Sequence, residues 1–230
     1  MTSGTSSVDA SRVWIIDGGP VAPELPAIKP PTHVIAVDRG ADHALALGLE
    51  VHEVIGDLDS VSQSTLGRLR ARGAAVDEHP VDKDRSDLDL ALARAAELQP
   101  AELVVVAGGG GRLDHALISA LVLGRPEHAR LDITAYMGDA VVIATIAGRR
   151  RPIPAVAGDT LSLLVVGGPA RVRLSGVRWE LHPDTIVEPG SSLGLSNIAT
   201  VDCPILEVAQ GVAMVVITPR RDSLSEKSHR

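Results

Sequence analysis

Aliphatic, β-branched runs alternate with stretches of helical spacing as far as about residue 137, and no other feature constrains the fold as much. Strands are predicted at RVWIID (12–17), HVIAVD (33–38), EVIGD (53–57), AAVDEHPV (74–81), LVVVAG (103–108) and LDITAYM (131–137). Helices are predicted between them, at ADHALALG (41–48), SVSQSTLGRLRARG (60–73), SDLDLALARAAELQ (86–99) and LDHALISALVLG (113–124). A βαβα order of this kind calls for a mostly parallel sheet covered by helices, an α/β fold. VIAV and VVVA are apolar at consecutive positions, as in strands buried on both faces.

Near AGRRRPIPAVAG (147–158) the helical periodicity stops. Short runs broken by Gly and Pro follow: LSLLVV, ARVRLSGVRWEL, SSLGLS, PILEVAQ and GVAMVVI. They predict an antiparallel β-domain, a sandwich or an open barrel. The expected division is therefore 1–150 for the α/β part and 151–230 for the β part. With 45% hydrophobic residues the chain can fill a core, but it has no Phe, two Trp and one Tyr. Packing must rest on Val, Leu, Ile and Ala, so an exposed aromatic would have a specific task.

The net charge of −7 argues against nucleic acid as a partner, because backbone binding needs clustered cations. It leaves room for a nucleotide held through a divalent ion. Cys203 is the single cysteine, so no internal disulfide forms and a reducing, cytoplasmic setting is expected. MTSGTSSVDASR lacks the apolar core of a signal peptide, no apolar run approaches membrane-spanning length, and the tail RRDSLSEKSHR is expected to fray.

Several strand ends run into unusual loops. HVIAVD leads into Asp38-Arg39-Gly40-Ala41-Asp42, EVIGD into Asp57-Leu58-Asp59-Ser60, and the fourth strand into Asp82-Lys83-Asp84-Arg85-Ser86-Asp87. LVVVAG leads into the glycine run Gly108–Gly111 and Arg112. In a parallel sheet the carboxyl ends lie along one edge, where ligands of open α/β sheets bind, so these clusters are expected to meet. Part of this is cap chemistry: Ser60 with Gln63, and Ser86 with Asp89, have capping-box spacing. A cap needs one side chain, however. Asp57, Asp59, Asp84 and Asp87 together place several negative charges at one edge, where close pairs repel by roughly 1–4 kcal/mol. A divalent cation removes that repulsion, and Mg²⁺ takes a few carboxylates together with water and substrate phosphates. The i, i+2 spacing of Asp57 and Asp59 turns both to one side if the strand continues.

The glycines before the fourth helix are the complementary half. Bare backbone N–H groups approach phosphate closely, and Arg112 and Lys83 add full charges. The run is neither a Walker A motif nor a dinucleotide fingerprint. An acidic edge and a glycine cradle together point to phosphoryl chemistry on a nucleotide.

With these residues in view, the sequence resembles the thiamine pyrophosphokinase family. The shared marks are Asp38 after the second strand, G-D-x-D-S (Gly56–Ser60), K-D-x-[ST]-D (Lys83–Asp87), G-G-R-x-D-H (Gly110–His115), G-x-x-W-x-L (Gly176–Leu181) and S-N (Ser196–Asn197). The resemblance implies a Rossmann-like parallel-sheet α/β domain that binds ATP, followed by an antiparallel β-sandwich that binds thiamine. It implies a homodimer with the site at the subunit interface, and Mg²⁺-dependent transfer of a pyrophosphoryl group from ATP to the thiamine hydroxyl, with AMP released.

Carried over residue by residue, the resemblance makes Asp57, Asp59 and Asp87 the catalytic and metal-binding carboxylates. Asp38, Ser60, Lys83, Asp84, Gly109, Gly110, Gly111 and Arg112 become ATP contacts, and Asp114, Trp179, Ser196 and Asn197 become thiamine contacts. Trp179 also suits a flat cationic ring on chemical grounds, since indole is the best cation–π partner, although a plug for the β core is the plainer use of a Trp. Trp14, in an apolar strand, reads as core. Arg39 stands where the family commonly has a small residue, and Ser86 where it commonly has Thr. The histidines show no metal-ligand spacing. A pyrophosphokinase for a pterin alcohol and a non-catalytic nucleotide or thiamine sensor are the rival readings.

Overall fold

The structure is a computed structural model that describes residues 10–220. The tail beyond Arg220, and most of the amino-terminal stretch read above, lie outside them. The chain divides into two compact units, one up to Gly108 and one from Gly109.

The first unit contains β1 (Arg12–Ile16), β2 (His33–Val37), α1 (Gly40–Ala46), β3 (Glu53–Gly56), α2 (Gln63–Ala71), β4 (Ala75–Glu78), α3 (Asp87–Leu98) and β5 (Glu102–Ala107). Every strand and helix expected here is present, a few residues shorter at some ends. The strands run in the order β5-β1-β2-β3-β4, and each neighbouring pair is parallel. β1 and β2 are buried almost throughout, whereas the edge strand β4 is largely exposed, which explains its polar sequence AVDE. α3 packs against β1, β2 and β3, and α1 against β1 and β2. Val13, Ile15, Ile35, Ile55, Leu92 and Leu103 fill the core, and Trp14 is buried with them, as expected.

At the amino-terminal ends of β2 and β3 sits a charged knot. Glu53 accepts from Arg94 through Nε at 2.7 Å and Nη2 at 3.1 Å, and His33 Nε2 lies 2.9 Å from its Oε1. Burial alone would raise the Glu53 pKa, but the His33 and Arg94 hydrogen bonds outweigh it and hold the carboxyl at about 2.

The helix starts divide between a confirmed cap and a corrected one. Ser86 caps α3 by accepting from Asp89 N at 3.2 Å. The Asp89 carboxylate takes a two-pronged ion pair from Arg85. The cap of α2 is Ser62, not Ser60: Ser62 Oγ accepts from Thr65 N. Ser60 lies too far ahead of the helix because residues 57–61 first complete a turn, and Asp42 fixes the later start. Its Oδ1 accepts from the Ser62 and Thr65 hydroxyls at 2.7 and 2.5 Å. Burial works to raise the Asp42 pKa, but these bonds bring it below the usual carboxylate value.

The second unit opens with α4 (Leu113–Leu123) and α5 (Pro126–Ala129) and continues as strands. These are β6 (Thr134–Met137), β7 (Ala140–Ile146), β8 (Arg149–Pro152), β9 (Thr160–Val165), β10 (Ala170–Ser175), β11 (Leu181–Val187), β12 (Asn197–Ile198), β13 (Ile205–Gln210) and β14 (Val212–Thr218). Antiparallel pairing gives β12-β9-β14-β7-β6 and, separately, β11-β10-β13-β8. One buried cluster draws Leu161, Leu163, Val215 and Ile217 from the former set and Val172, Leu174, Leu206 and Val208 from the latter. The alternation of β10, with Val172 and Leu174 buried and Arg171 and Arg173 exposed, is the period-two signature of a strand with one wet face.

Two expectations fail here. SSLGLS is not a strand: Ser191 Oγ accepts from Leu193 N, Leu195 N bonds Ser192 O, and Ser196 has φ +55, all turn geometry. ARVRLSGVRWEL is not one strand either, because Gly176 takes φ +79 and ends β10. The missed strand β11 contains Pro183, which a strand tolerates at a sheet edge, where β11 lies. Among the described residues no helix is long and apolar enough to cross a membrane.

Candidate active site

β2 and β3 run parallel and end side by side, which brings Asp38 to the G-D-x-D-S turn. Leu58 N donates to Asp38 Oδ1 at 3.2 Å. Both residues take left-handed backbone, with φ +46 at Asp38 and +63 at Leu58. Asp tolerates that region; for a buried Leu it is strained, of order 1–3 kcal/mol. Gly56 makes the approach possible: a β-carbon there would stand 1.8 Å from Asp38 Oδ1.

Four carboxylates and one lysine share the electric field at this edge. Burial pushes Asp38 up to about 7; the charges of Asp87 and Asp57 add to the rise, and Leu58 N and Lys83 oppose it. Asp57 raises the Asp59 pKa by charge and by hydrogen bonding, and Asp87 adds to it. Asp57 Oδ1 also accepts from Asp59 N at 3.1 Å. Lys83 Nζ stands 2.9 Å from Asp87 Oδ1 and donates to Pro80 O at 3.0 Å. Asp38, Asp57, Asp59, Asp87 and Lys83, expected to meet, are therefore neighbours. Ser60 Oγ accepts from Arg39 N, tying the two loops together, while Arg39 and Asp84 are exposed.

The donor set suits a hard divalent cation. It offers carboxylate oxygens that repel one another, and Asp87 Oδ1 is buried without a well-aligned hydrogen bond. Among the described residues no three His, Cys, Asp or Glu side chains are already arranged around a metal position.

The other expected residues lie in the second unit. Gly109, Gly110 and Gly111 take φ +72, +74 and +79 in succession, a path that only glycine follows without strain. Arg112 forms the N-cap residue of α4 and makes a two-pronged pair with Asp114, at 3.1 and 2.6 Å, exposed on both sides. Trp179 is not a core plug: it is 57% exposed. The Arg178 guanidinium carbon lies 5.5 Å from its ring centre. Asn197 is buried beside it, and Ser196 N donates to Ser162 Oγ. The strained Leu58 and the steric demand at Gly56 escaped sequence reasoning; a glycine directly ahead of D-x-D was the available signal.

The family described as "Thiamin pyrophosphokinase, catalytic domain" matches residues 27–135. Thiamine pyrophosphokinase of Bacillus subtilis is 36% identical over 106 residues, 45% of this chain and 50% of the relative. The match thus spans about half the length of that curated relative. Among solved structures, the thiamine pyrophosphokinase of Bacillus subtilis has a TM-score of 0.76 at 24% identity, over 90% of this chain and 99% of the other. The thiamin pyrophosphokinase of Candida albicans has a TM-score of 0.69 at 13% identity, over 92% and 90%. A mixed α/β fold with a parallel-containing sheet and a separate antiparallel sheet is common to them. Over residues 27–135 the chain is thus similar in sequence to the thiamin pyrophosphokinase catalytic domain, and it shares the fold of those solved structures.

Proposed function

We propose that the chain transfers the pyrophosphoryl group of ATP to the hydroxyl of thiamine, giving thiamine diphosphate and AMP. The observation that carries this reading is the gathering of Asp38, Asp57, Asp59, Asp87 and Lys83 on one sheet edge, inside the segment that matches the catalytic-domain family. In the reaction the thiamine hydroxyl oxygen bonds to the β-phosphorus of ATP. The bond from that phosphorus to the α-phosphate oxygen breaks, the hydroxyl proton passes to a carboxylate or to water, and AMP leaves.

Asp57, Asp59 and Asp87 would hold Mg²⁺, which when bound neutralises phosphate charge and orients the transferred group. Lys83 holds Asp87 in place and supplies a positive charge for phosphate. Asp38, tied to the Leu58 amide, fixes the turn that carries Asp57 and Asp59. Ser60, Asp84, Gly109, Gly110, Gly111 and Arg112 are assigned to ATP, and Asp114, Trp179, Ser196 and Asn197 to the thiamine side. Catalysis is then positioning plus electrostatics.

The finer fold reading is a Rossmann-like domain over 1–150 for ATP and a β-sandwich over 151–230 for thiamine. The buried cluster fed by both antiparallel sets supports the sandwich. A cytoplasmic homodimer is our reading of the assembly. Leu113, Leu117 and Leu121, exposed at i, i+4 spacing along α4, support it. Light scattering after size-exclusion chromatography tests the dimer.

The decisive experiment mixes the protein with ATP, thiamine and Mg²⁺ and follows AMP and thiamine diphosphate. Formation of both in equal amounts supports the reading. Neither product, or pyrophosphoryl transfer to a pterin alcohol in preference to thiamine, overturns it.

A further inference from the structure

Trp179 combines two properties that seldom coincide. Its ring is mostly exposed, yet the backbone beneath it is tied down on every side. Arg178 N donates to Ile198 O at 2.8 Å and Thr200 N to Gly176 O at 2.9 Å, while Gly176 N donates to Glu180 Oε1 at 2.8 Å. Val177 and Ala199 pair as an isolated antiparallel bridge. The ladder would stop there, because the next partner of the Trp179 peptide is not a backbone but a side chain.

That side chain is Asn197. It is 1% exposed, and both ends of its amide are hydrogen-bonded. Asn197 Oδ1 accepts from Trp179 N at 3.1 Å and from Ile198 N at 2.9 Å, and Nδ2 donates to Trp179 O at 2.7 Å. The carboxamide thus imitates a peptide group and serves both the N–H and the C=O of the same residue. Serine or threonine lacks the two-ended donor–acceptor geometry, and glutamine places it one methylene further out.

We propose that Asn197 is a positioning residue that locks the Trp179 peptide, so that the indole stands on a fixed base and presents its face to the flat cationic ring of the substrate, without Asn197 touching that substrate. This rests on the function proposed above and deepens it. A free loop would have to be ordered at binding, at a cost in affinity; holding it beforehand removes that cost. Side-chain hydrogen bonds consumed in this way are also unavailable to a ligand.

The test uses the full chain. In a Trp14→Phe background Trp179 is the sole indole, since the chain has two tryptophans. Time-resolved fluorescence anisotropy then reads its local motion. Asn197→Ala is expected to enlarge the fast depolarisation of Trp179 and to raise the thiamine KM about tenfold, more than it lowers kcat, with the ATP KM unmoved. Asn197→Asp keeps both accepted bonds but turns a carboxylate oxygen toward Trp179 O in place of the donor, so it should loosen the Trp179 peptide at least as much as alanine on both readouts. If the alanine variant does not fold, the aspartate variant decides alone. In a Trp179→Ala chain, adding Asn197→Ala should change the thiamine KM no further. Unaltered depolarisation in the Asn197 variants, or an additional KM loss in the double variant, overturns the proposal. If the parent makes no thiamine diphosphate, the functional reading falls, and the depolarisation measurement still decides whether Asn197 holds Trp179.

Discussion

The Leu58 amide donates to Asp38 Oδ1 across the gap between β3 and β2, and both ends of that bond sit in left-handed backbone. A strained turn is thus fastened to a partly buried carboxylate, and the fastening works only because residue 56 has no side chain.

Gly56→Ala is the direct check. The new methyl would meet Asp38 Oδ1 at 1.8 Å, and φ at this position is +149. We expect a loss of about 2–4 kcal/mol, combining overpacking with an unfavourable dihedral. Urea denaturation measures it, and an unchanged midpoint would refute the steric role.

Asp57→Asn should separate chemistry from stability. Turnover is expected to fall on the order of 10²-fold or more, as for loss of a group that stabilises phosphoryl charge. The melting temperature should hold, because one of several like charges has gone. The carboxyl of Asp59, raised chiefly by Asp57, should return toward its ordinary range in an NMR titration. Near-parental turnover would remove Asp57 from the proposed machinery.

The Glu53 knot gives a pH dependence of known sign. Its carboxyl titrates near 4.5 when unfolded and near 2 in the fold, so folding favours the charged form. The stabilisation is complete above about 4.5 and fades as the pH falls toward 2; the difference amounts to roughly 3 kcal/mol at most. Arg94→Leu should therefore cost more stability at pH 7 than at pH 3, read by urea unfolding at both. Equal costs would contradict the assignment.

The two serines near α2 should behave differently. Ser62→Ala removes a cap and its bonds to Asp42 and should cost about 1–2 kcal/mol. Ser60→Ala, which loses only the exposed bond from Arg39 N, should cost less, about 0.5 kcal/mol. Thermal melts distinguish them; the reverse ranking would restore Ser60 as the cap.

The parallel half was legible because its strands are apolar at consecutive positions and its helices begin at recognisable caps, as at Ser86. The meeting of Asp38, Asp57, Asp59 and Asp87 followed from topology alone, since parallel strands deliver their ends to one edge. What stayed hidden depends on contacts between distant residues. Asp42 reaches over to Ser62 and Thr65 and so moves the start of α2, a shift no local pattern encodes. In the antiparallel half, short runs such as SSLGLS carry apolar residues at strand spacing, while Ser191 and the left-handed Ser196 bend them into turns. The role of Asn197 was hidden for a similar reason: an S-N dipeptide suggests ligand contact, whereas the fold spends the amide on Trp179.

The succession of left-handed backbone at Gly109, Gly110 and Gly111 limits how this protein could be made more heat-resistant. Swapping glycine for alanine commonly stiffens the unfolded chain and gains ~0.4–1 kcal/mol, but only where the native dihedrals accept a β-carbon. None of these three positions does. Any hardening of the chain must leave this stretch bare and find its gains elsewhere.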